Sequence, residues 1–324
     1  MRVLIANAFF DYDPQRVRNR TVIDTFEPGS TMKPFTAAAV LEQGLFTPQS
    51  VINTSDGLVV GKKRIRDEHP HPFLTVTEII QKSSNIGAVK MAMTLTPAQF
   101  WGTLHRAGFG QKPGSGFPGE AAGRLRDAKN WKPVEQATMA YGHGISVSLL
   151  QLARAYMAFA NDGEVVPLSF LRREPQEIIG ERVFSARVAR SVRGMMETVT
   201  HEGGTATRAQ VPGYRVAGKT GTAHKLINGQ YSPDRYISSF VGMAPASDPR
   251  FIVAVMIDEP SAGAYFGGSV AGPVFSQVMG GALRSYALPP DAPLPPTLLT
   301  QPTPPLPPSQ PTTKAERTRN GHAV

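Results

Sequence analysis

The sequence predicts an α+β fold, on three observations. Helical spacing of apolar residues fills the middle of the chain, as at Leu149, Leu152, Tyr156 and Phe159. The last third holds three short apolar runs separated by polar turns. No βα unit repeats along the 324 residues, which argues against a doubly wound parallel sheet. A chain of this length, 41% hydrophobic and 18% charged, holds one large domain or at most two, enough to carry a cleft on a rigid frame.

Taken in order, Arg2 to Phe9 reads as a short apolar strand, followed by a turn at Asp11 to Pro14. Phe26 to Gly44 contains a helix: Gly29 and Ser30 form its entrance and Pro34 fits the first turn. Thr36 to Leu41 is Ala-rich, and Gly44 ends the run. Residues 47–72 are polar, basic and loop-like. Thr75 opens a second helix, and Ser83 to Met93 continues the helical pattern. Asn130 to Gly144 is a Gly-containing approach to a helix over Ser148 to Ala160, stopped at Asn161 to Gly163. Val188 to Val199 is a further helix, with Val192, Met195, Met196 and Val199 on one side.

Val211 to Ala223, Tyr236 to Met243 and Phe251 to Ile257 are the three strands, and Asp248-Pro249 marks an antiparallel turn between the last two. Ala271 to Tyr286 is a closing helix. From Pro289 to Pro311 there are 11 prolines in 23 residues, a composition that makes neither helix nor inner strand. The expected division is one domain over residues 1–286 and a disordered Pro-rich tail over 287–324.

Composition removes several classes of function. The chain has no cysteine, so disulfides, thiolate catalysis and Cys-ligated metals are excluded. Its net charge of +9 comes from Lys and Arg scattered along the chain, apart from a run at Lys62, Lys63 and Arg64. With no zinc-finger spacing and no RNP-like aromatic strand, nucleic acid is not an expected partner. His69 and His71 lack a carboxylate-plus-histidine set at metal spacing, so no metal is expected. No apolar run reaches the roughly 18 residues that span a bilayer, and Met1 to Phe10 lacks the order of a signal peptide. No anchor or export signal is expected within these residues.

Three short words carry chemistry: Ser30-Thr31-Met32-Lys33, Ser83-Ser84-Asn85 and Lys219-Thr220-Gly221-Thr222. Residues three apart on a helix share a face, so the Lys33 amine can reach the Ser30 hydroxyl. A serine hydroxyl is a poor nucleophile until a base takes its proton. Lysine serves as that base only where burial or an adjacent positive charge lowers its pKa, and Lys219 could supply such a charge. Ser83 and Asn85 lie two apart, so on an extended or turn-like segment they point the same way, with Ser84 facing elsewhere. Capping of the helix that begins near Asn85 is the simpler use of both. Gly218 and Gly221 would let a peptide approach an edge strand closely.

S-x-x-K, a Ser-x-Asn element and K-T-G in this order form the joint signature of penicillin-binding proteins and class A β-lactamases. The longer phrases EPGSTMKPF, YGHGISVSLLQLARAY, VPGYRVAGKTGTA and AYFGGSVAGPVF extend the likeness over residues 1–286. The chain resembles the transpeptidase domain of class B penicillin-binding proteins, most closely the septal, cell-division type.

The resemblance implies an antiparallel sheet flanked by helices and a serine acyl-transfer site without a cofactor. It makes Ser30 the nucleophile, Lys33 its base, Ser83 a proton relay and Lys219 the second amine. Asn85 would hold the substrate amide, while Thr220, Gly221 and Thr222 would bind the terminal carboxylate. The backbone N–H groups of Ser30 and Thr222 would form the oxyanion hole. Expected partners are stem peptides ending in D-Ala-D-Ala, β-lactams as covalent inhibitors, and division-complex membrane proteins for a full-length form. His143 is expected to pack or line the groove. The Glu202 to Thr205 turn and Tyr265 to Gly268 are expected to be structural.

Full-length relatives carry a membrane span and an elongated domain ahead of this one, so a full-length form is expected in the inner membrane with its catalytic domain outside the cytoplasm. The family's sheet has five strands, and the first precedes the one matched to Arg2 to Phe9. A chain beginning at Met1 is therefore expected to lack that strand, as a fragment or a misplaced start. Two other functions share the motifs: a D,D-carboxypeptidase or β-lactamase-like hydrolase, and an inactive scaffold or sensor.

Overall fold

The computed structural model describes residues 2–4, 18–55, 57–171, 173–174 and 178–293. Most of the strand expected at Arg2 to Phe9 and the Pro-rich segment beyond 293 lie outside the described residues.

The chain opens with β1 (Arg2–Leu4), then α1 (Arg20–Ile23) and β2 (Thr25–Phe26). A 3₁₀ turn at Gly29–Met32 runs directly into α2 (Lys33–Glu42), where Pro34 occupies the first turn. Every residue of α2 from Lys33 to Leu41 is buried, so this stretch carries no polar face. Residues 47–72, expected as loop, contain β3 (Val51–Asn53), β4 (Leu58–Val60) and β5 (Lys63–Ile65). β4 and β5 form a hairpin, and β3 pairs with β6 (Phe73–Thr75).

α3 (Val76–Lys82) starts at a capping box in which Thr75 and Glu78 satisfy each other's backbone N–H groups. α4 (Asn85–Ala92) follows, capped by Ser84, and then α5 (Pro97–Arg106), with a second capping box at Thr96 and Gln99. α6 (Pro133–Met139) fills a segment expected only as an approach; Pro133 in its first turn and Glu135 at its third position suit a helix start. β7 (Val147–Ser148) pairs with β2. The helix expected over Ser148 to Ala160 forms as α7 (Leu149–Ala155) and α8 (Met157–Ala160), joined at Tyr156. β8 (Glu164–Val165) and β9 (Glu181–Arg182) make a small pair before α9 (Ala186–Glu197).

β10 (Ala217–Ile227), β11 (Gln230–Ala244) and β12 (Phe251–Asp258) are the three expected strands, and both neighbouring pairs are antiparallel. The first two run longer toward each other than the apolar pattern indicated. They meet at Asn228-Gly229, both with positive φ (50° and 79°), a two-residue turn that matches the twist of a hairpin. The Asn-Gly pair was the overlooked signal. Val211 to Val216 stays outside the strand because Pro212-Gly213 makes a turn there, with Tyr214 N bonding back to Val211 O. The sheet order is β1-β12-β11-β10, with β1 joining Phe251–Val253 of β12 in parallel. β10, which carries the Lys-Thr-Gly word, ends this order.

α10 (Gly267–Ser285) begins four residues before the expected start and packs on the sheet, with Phe275 edge-on to Phe240 at 4.7 Å. Pro273 inside it has no N–H for the Ser269 carbonyl, and Arg208 Nη1 donates there instead at 3.5 Å. The helical core centres on Phe35 of α2, whose ring meets Phe109, Tyr156 and Phe159 at centroid distances of 5.1, 5.6 and 4.8 Å. Residues just past α10 are pinned: Tyr214 donates to the Leu288 carbonyl, and Asp291 accepts from Arg215 and Ser247. Among the described residues no helix is long and apolar enough to cross a membrane.

Candidate active site

The 3₁₀ turn at Gly29–Met32 stacks position i over i+3 more closely than an α-helix does. It sets Ser30 Oγ 2.9 Å from Lys33 Nζ, as the spacing predicted. Two buried groups hold the turn from behind: Thr31 Oγ1 donates to Pro28 O at 2.8 Å, and Tyr156 Oη donates to Thr31 O at 2.8 Å. Gly29 N donates to Gly142 O at 3.2 Å, which ties the turn to the Tyr141–Gly144 loop. Gly142 is required there: its φ is +83°, and a Cβ would lie 2.1 Å from Gly29 O.

Lys33 is fully buried, and burial pushes its pKa down from 10.5 to about 7. A neutral amine has two N–H groups and one lone pair. Lys33 Nζ donates to Ser83 O at 2.5 Å and to Ser83 Oγ at 3.1 Å, which leaves the lone pair for the Ser30 hydroxyl. Lys219 of β10 is also fully buried, and its Nζ donates to Ser83 Oγ at 2.9 Å and to Thr220 Oγ1 at 3.2 Å. Burial and the neighbouring Lys33 hold its pKa well below the ordinary lysine value. Ser83 Oγ thus accepts from two amines, and its own proton is free to be given away. The two lysines cannot both carry a proton cheaply at this separation, which keeps one of them in the basic form.

Ser83 ends α3 in the left-handed region, at φ 62° and ψ 39°, a conformation that costs a serine roughly 1–3 kcal/mol. That backbone turn aims both its carbonyl and its hydroxyl at Lys33. Ser84 is extended and buried; it faces away, as expected, and caps α4 by accepting from Gly87 N at 2.9 Å. Capping therefore falls to Ser84, which frees Ser83 and Asn85 to line the cleft. Asn85 Nδ2 donates to Arg66 O at 3.0 Å, so its side-chain amide is held in one orientation.

A cleft of about 740 Å³ runs between these elements. Ser30, Ser83, Asn85, Thr220 and Thr222 all line it, so the three signature words meet at one place. Gly221, expected to let a peptide approach β10, is also closely packed on its own side of the strand. A Cβ there would meet Ser239 Oγ at 2.4 Å and Pro28 O at 2.8 Å. Its glycine lets β10 pack against the turn that bears Ser30, while Thr220 and Thr222 on either side face the cleft. Thr222 Oγ1 accepts from Gly267 N at 3.0 Å, which leaves its hydroxyl proton to donate.

Several cleft residues escaped the sequence reading. Thr205 sits 2.9 Å from Thr220 through their hydroxyls, so the Glu202 to Thr205 turn belongs to the cleft wall. Tyr265 and Phe266, expected to be structural, also line it, and Tyr265 stacks on Tyr236 at 4.2 Å. Nothing in spacing marks these residues, because they enter from separate turns of the chain. His143 lines the cleft as expected; burial, with Lys63 and Lys33 adding to it, pushes its pKa down to about 4. It is neutral at pH 7 and 3.4 Å from Glu27 Oε2.

The family model described as the penicillin binding protein transpeptidase domain matches residues 2–280. The chain belongs to this family. As a penicillin-binding transpeptidase domain it is 46% identical over 293 residues to the "Probable peptidoglycan D,D-transpeptidase PenA" of Neisseria flavescens, covering 87% of this chain and 72% of that relative. It is 41% identical over 279 residues to the "Peptidoglycan D,D-transpeptidase FtsI" of Escherichia coli K12, covering 86% and 47%. A solved transpeptidase domain, from Burkholderia pseudomallei penicillin-binding protein 3, superposes with a TM-score of 0.82 at 51% identity, covering 85% of this chain and 84% of that one. The chain spans about half the length of the Escherichia coli relative and of the PenA of Neisseria gonorrhoeae.

Proposed function

We propose that this domain is a serine D,D-transpeptidase that cross-links peptidoglycan stem peptides through an acyl-enzyme. One observation carries the reading. A cleft-lining hydroxyl lies 2.9 Å from a buried amine whose pKa is near neutrality, and Ser83 bridges that amine to a second one. The names of the relatives point to the same activity.

In the first step Ser30 Oγ attacks the carbonyl carbon of the penultimate D-alanine while its proton passes to Lys33 Nζ. The carbonyl oxygen becomes an oxyanion facing the backbone N–H groups of Ser30 and Thr222; losing one such donor costs about 3–4 kcal/mol of transition-state stabilisation. The C–N bond to the terminal D-alanine then breaks, and its nitrogen takes the Ser83 proton, which Lys33 replaces. Asn85 holds the peptide amide, and the hydroxyls of Thr220 and Thr222 hold the terminal carboxylate, with Lys219 behind Thr220. In the second step the amine of a neighbouring stem peptide attacks the ester and gives its proton back along the same path. Ser30 is released and a new amide remains. A β-lactam, a strained amide beside a carboxylate, enters the first step and stays as the ester.

The resemblance to the septal type extends the proposal to division-wall synthesis, with the catalytic domain outside the cytoplasm, carried by a longer, membrane-anchored form that meets division-complex proteins. The test is a D-Ala-D-Ala peptide supplied with an amine acceptor. Amide product with release of one D-alanine is expected; hydrolysis alone would reassign the domain as a carboxypeptidase, and labelling by penicillin without turnover would reassign it as a sensor. Ser30→Ala should abolish labelling while leaving the melting curve nearly unchanged, because the change removes a single hydrogen bond, that to Lys33, worth about 1 kcal/mol. Undiminished labelling would remove it as the nucleophile.

A further inference from the structure

Asp67 belongs to none of the signature words, yet it grips the turn between them. Its Oδ1 accepts from the backbone N–H of Asn85 at 2.5 Å and of Ile86 at 2.9 Å. Its Oδ2 accepts from the Ser84 hydroxyl at 2.5 Å. The preceding carbonyl, Arg66 O, accepts from Asn85 Nδ2 at 3.0 Å. One short segment therefore anchors both residues that follow Ser83, whose left-handed backbone persists only where its surroundings over-determine it.

We propose that Asp67 is a positioning residue of the acyl-transfer site: its carboxylate locks the Ser83–Asn85 turn between the two lysines. The proposal rests on the acyl-enzyme reading and deepens it. Among the described residues, three charged or titratable side chains bear on Lys33. Lys219 faces it from β10, His143 from the loop before β7, and Asp67 from the loop before β6. Lys219 and neutral His143 give Lys33 no negative charge; Asp67 supplies one and opposes the lowering that burial imposes. The same carboxylate thus sets both the shape of the turn and the pH at which the base becomes available.

The two effects separate in two variants. Asp67→Asn keeps an oxygen for the N–H groups of Asn85 and Ile86 but removes the charge. Asp67→Ala removes both. The rate of acylation by a fluorescent penicillin is measured on the 324-residue chain from about pH 5 to about pH 9. Without the carboxylate, Lys33 loses its proton at lower pH. The acid limb of Asp67→Asn should therefore shift downward by on the order of half a pH unit, less than for a directly paired charge. At the acid end this variant should be acylated about threefold faster than wild type, a gain that a merely structural residue would not produce. Asp67→Ala should in addition lose about tenfold in plateau rate as the turn relaxes. An acid limb in Asp67→Asn that stays in place or moves upward overturns the proposal, whatever the folding of Asp67→Ala. If wild type itself is not labelled, or labels equally after Ser30→Ala, the acyl-enzyme reading fails instead.

Discussion

Replacing Lys33 by Met should stabilise the fold while it destroys acylation. Lys33 has a pKa of 10.5 in the unfolded chain and about 7 in the folded one, a displacement that corresponds to roughly 5 kcal/mol of destabilisation below neutrality. The sign follows from proton counting. Between about pH 7 and 10.5 the unfolded state binds the proton and the folded state does not, so wild-type stability rises with pH across this window. Methionine has nearly the same length and no charge to desolvate. Against the gain stand the bonds Lys33 makes to Ser83 O and Ser83 Oγ, whose loss costs about 1–3 kcal/mol. Lys219 is present in both proteins, and relief of its repulsion with Lys33 acts in the same direction as the gain. The net is about 1–3 kcal/mol in favour of Lys33→Met at pH 7, falling with pH and reversing to about 0–2 kcal/mol in favour of wild type near pH 10. Urea unfolding of both proteins at the two pH values, with penicillin labelling alongside, measures it. A variant less stable than wild type at pH 7, or an advantage that does not shrink with rising pH, would show that Lys33 is not held neutral by burial.

The acylation rate of wild type should fall through an acid limb centred near pH 7, because the protonated amine cannot take the Ser30 proton; at pH 5 the rate should be about a hundredth of its plateau. A rate unchanged down to pH 5 would assign the base elsewhere. Gly142→Ala places a Cβ 2.1 Å from Gly29 O at a φ of +83°, so it should cost about 3 kcal/mol or more and slow labelling by displacing Ser30. Wild-type melting and labelling in this variant would contradict the packing described. Phe35→Ala should lose about 3–5 kcal/mol of stability, read by thermal or urea unfolding, because a fully buried ring between Phe109, Tyr156 and Phe159 leaves a cavity.

The site was partly legible because its chemistry is written in short local words. Ser30 and Lys33 lie one helical turn apart, and backbone geometry alone brings them together. The Ala-rich run of α2 and the spacing in α9 likewise announced helices that the fold contains. α6 and the hairpin at Asn228-Gly229 were equally local signals, one a Pro-led helix start and the other a turn pair, but the apolar pattern outweighed them. Asp67, Thr205 and Tyr265 carry no such mark. Each reaches the cleft from a turn whose position depends on packing elsewhere.

The order of residues by itself determined which groups could react and that a helical body would be joined to an antiparallel sheet, since side-chain type, short-range spacing and periodicity are properties of neighbours along the chain. Only the tertiary structure decided that Lys33 loses its proton near neutrality, that Ser83 lies between two amines, and that Gly221 serves packing. The physical reason is that a pKa and a bridging hydroxyl depend on what surrounds an atom in space. Here the partners of Ser83 come from 50 residues before it and 136 after it.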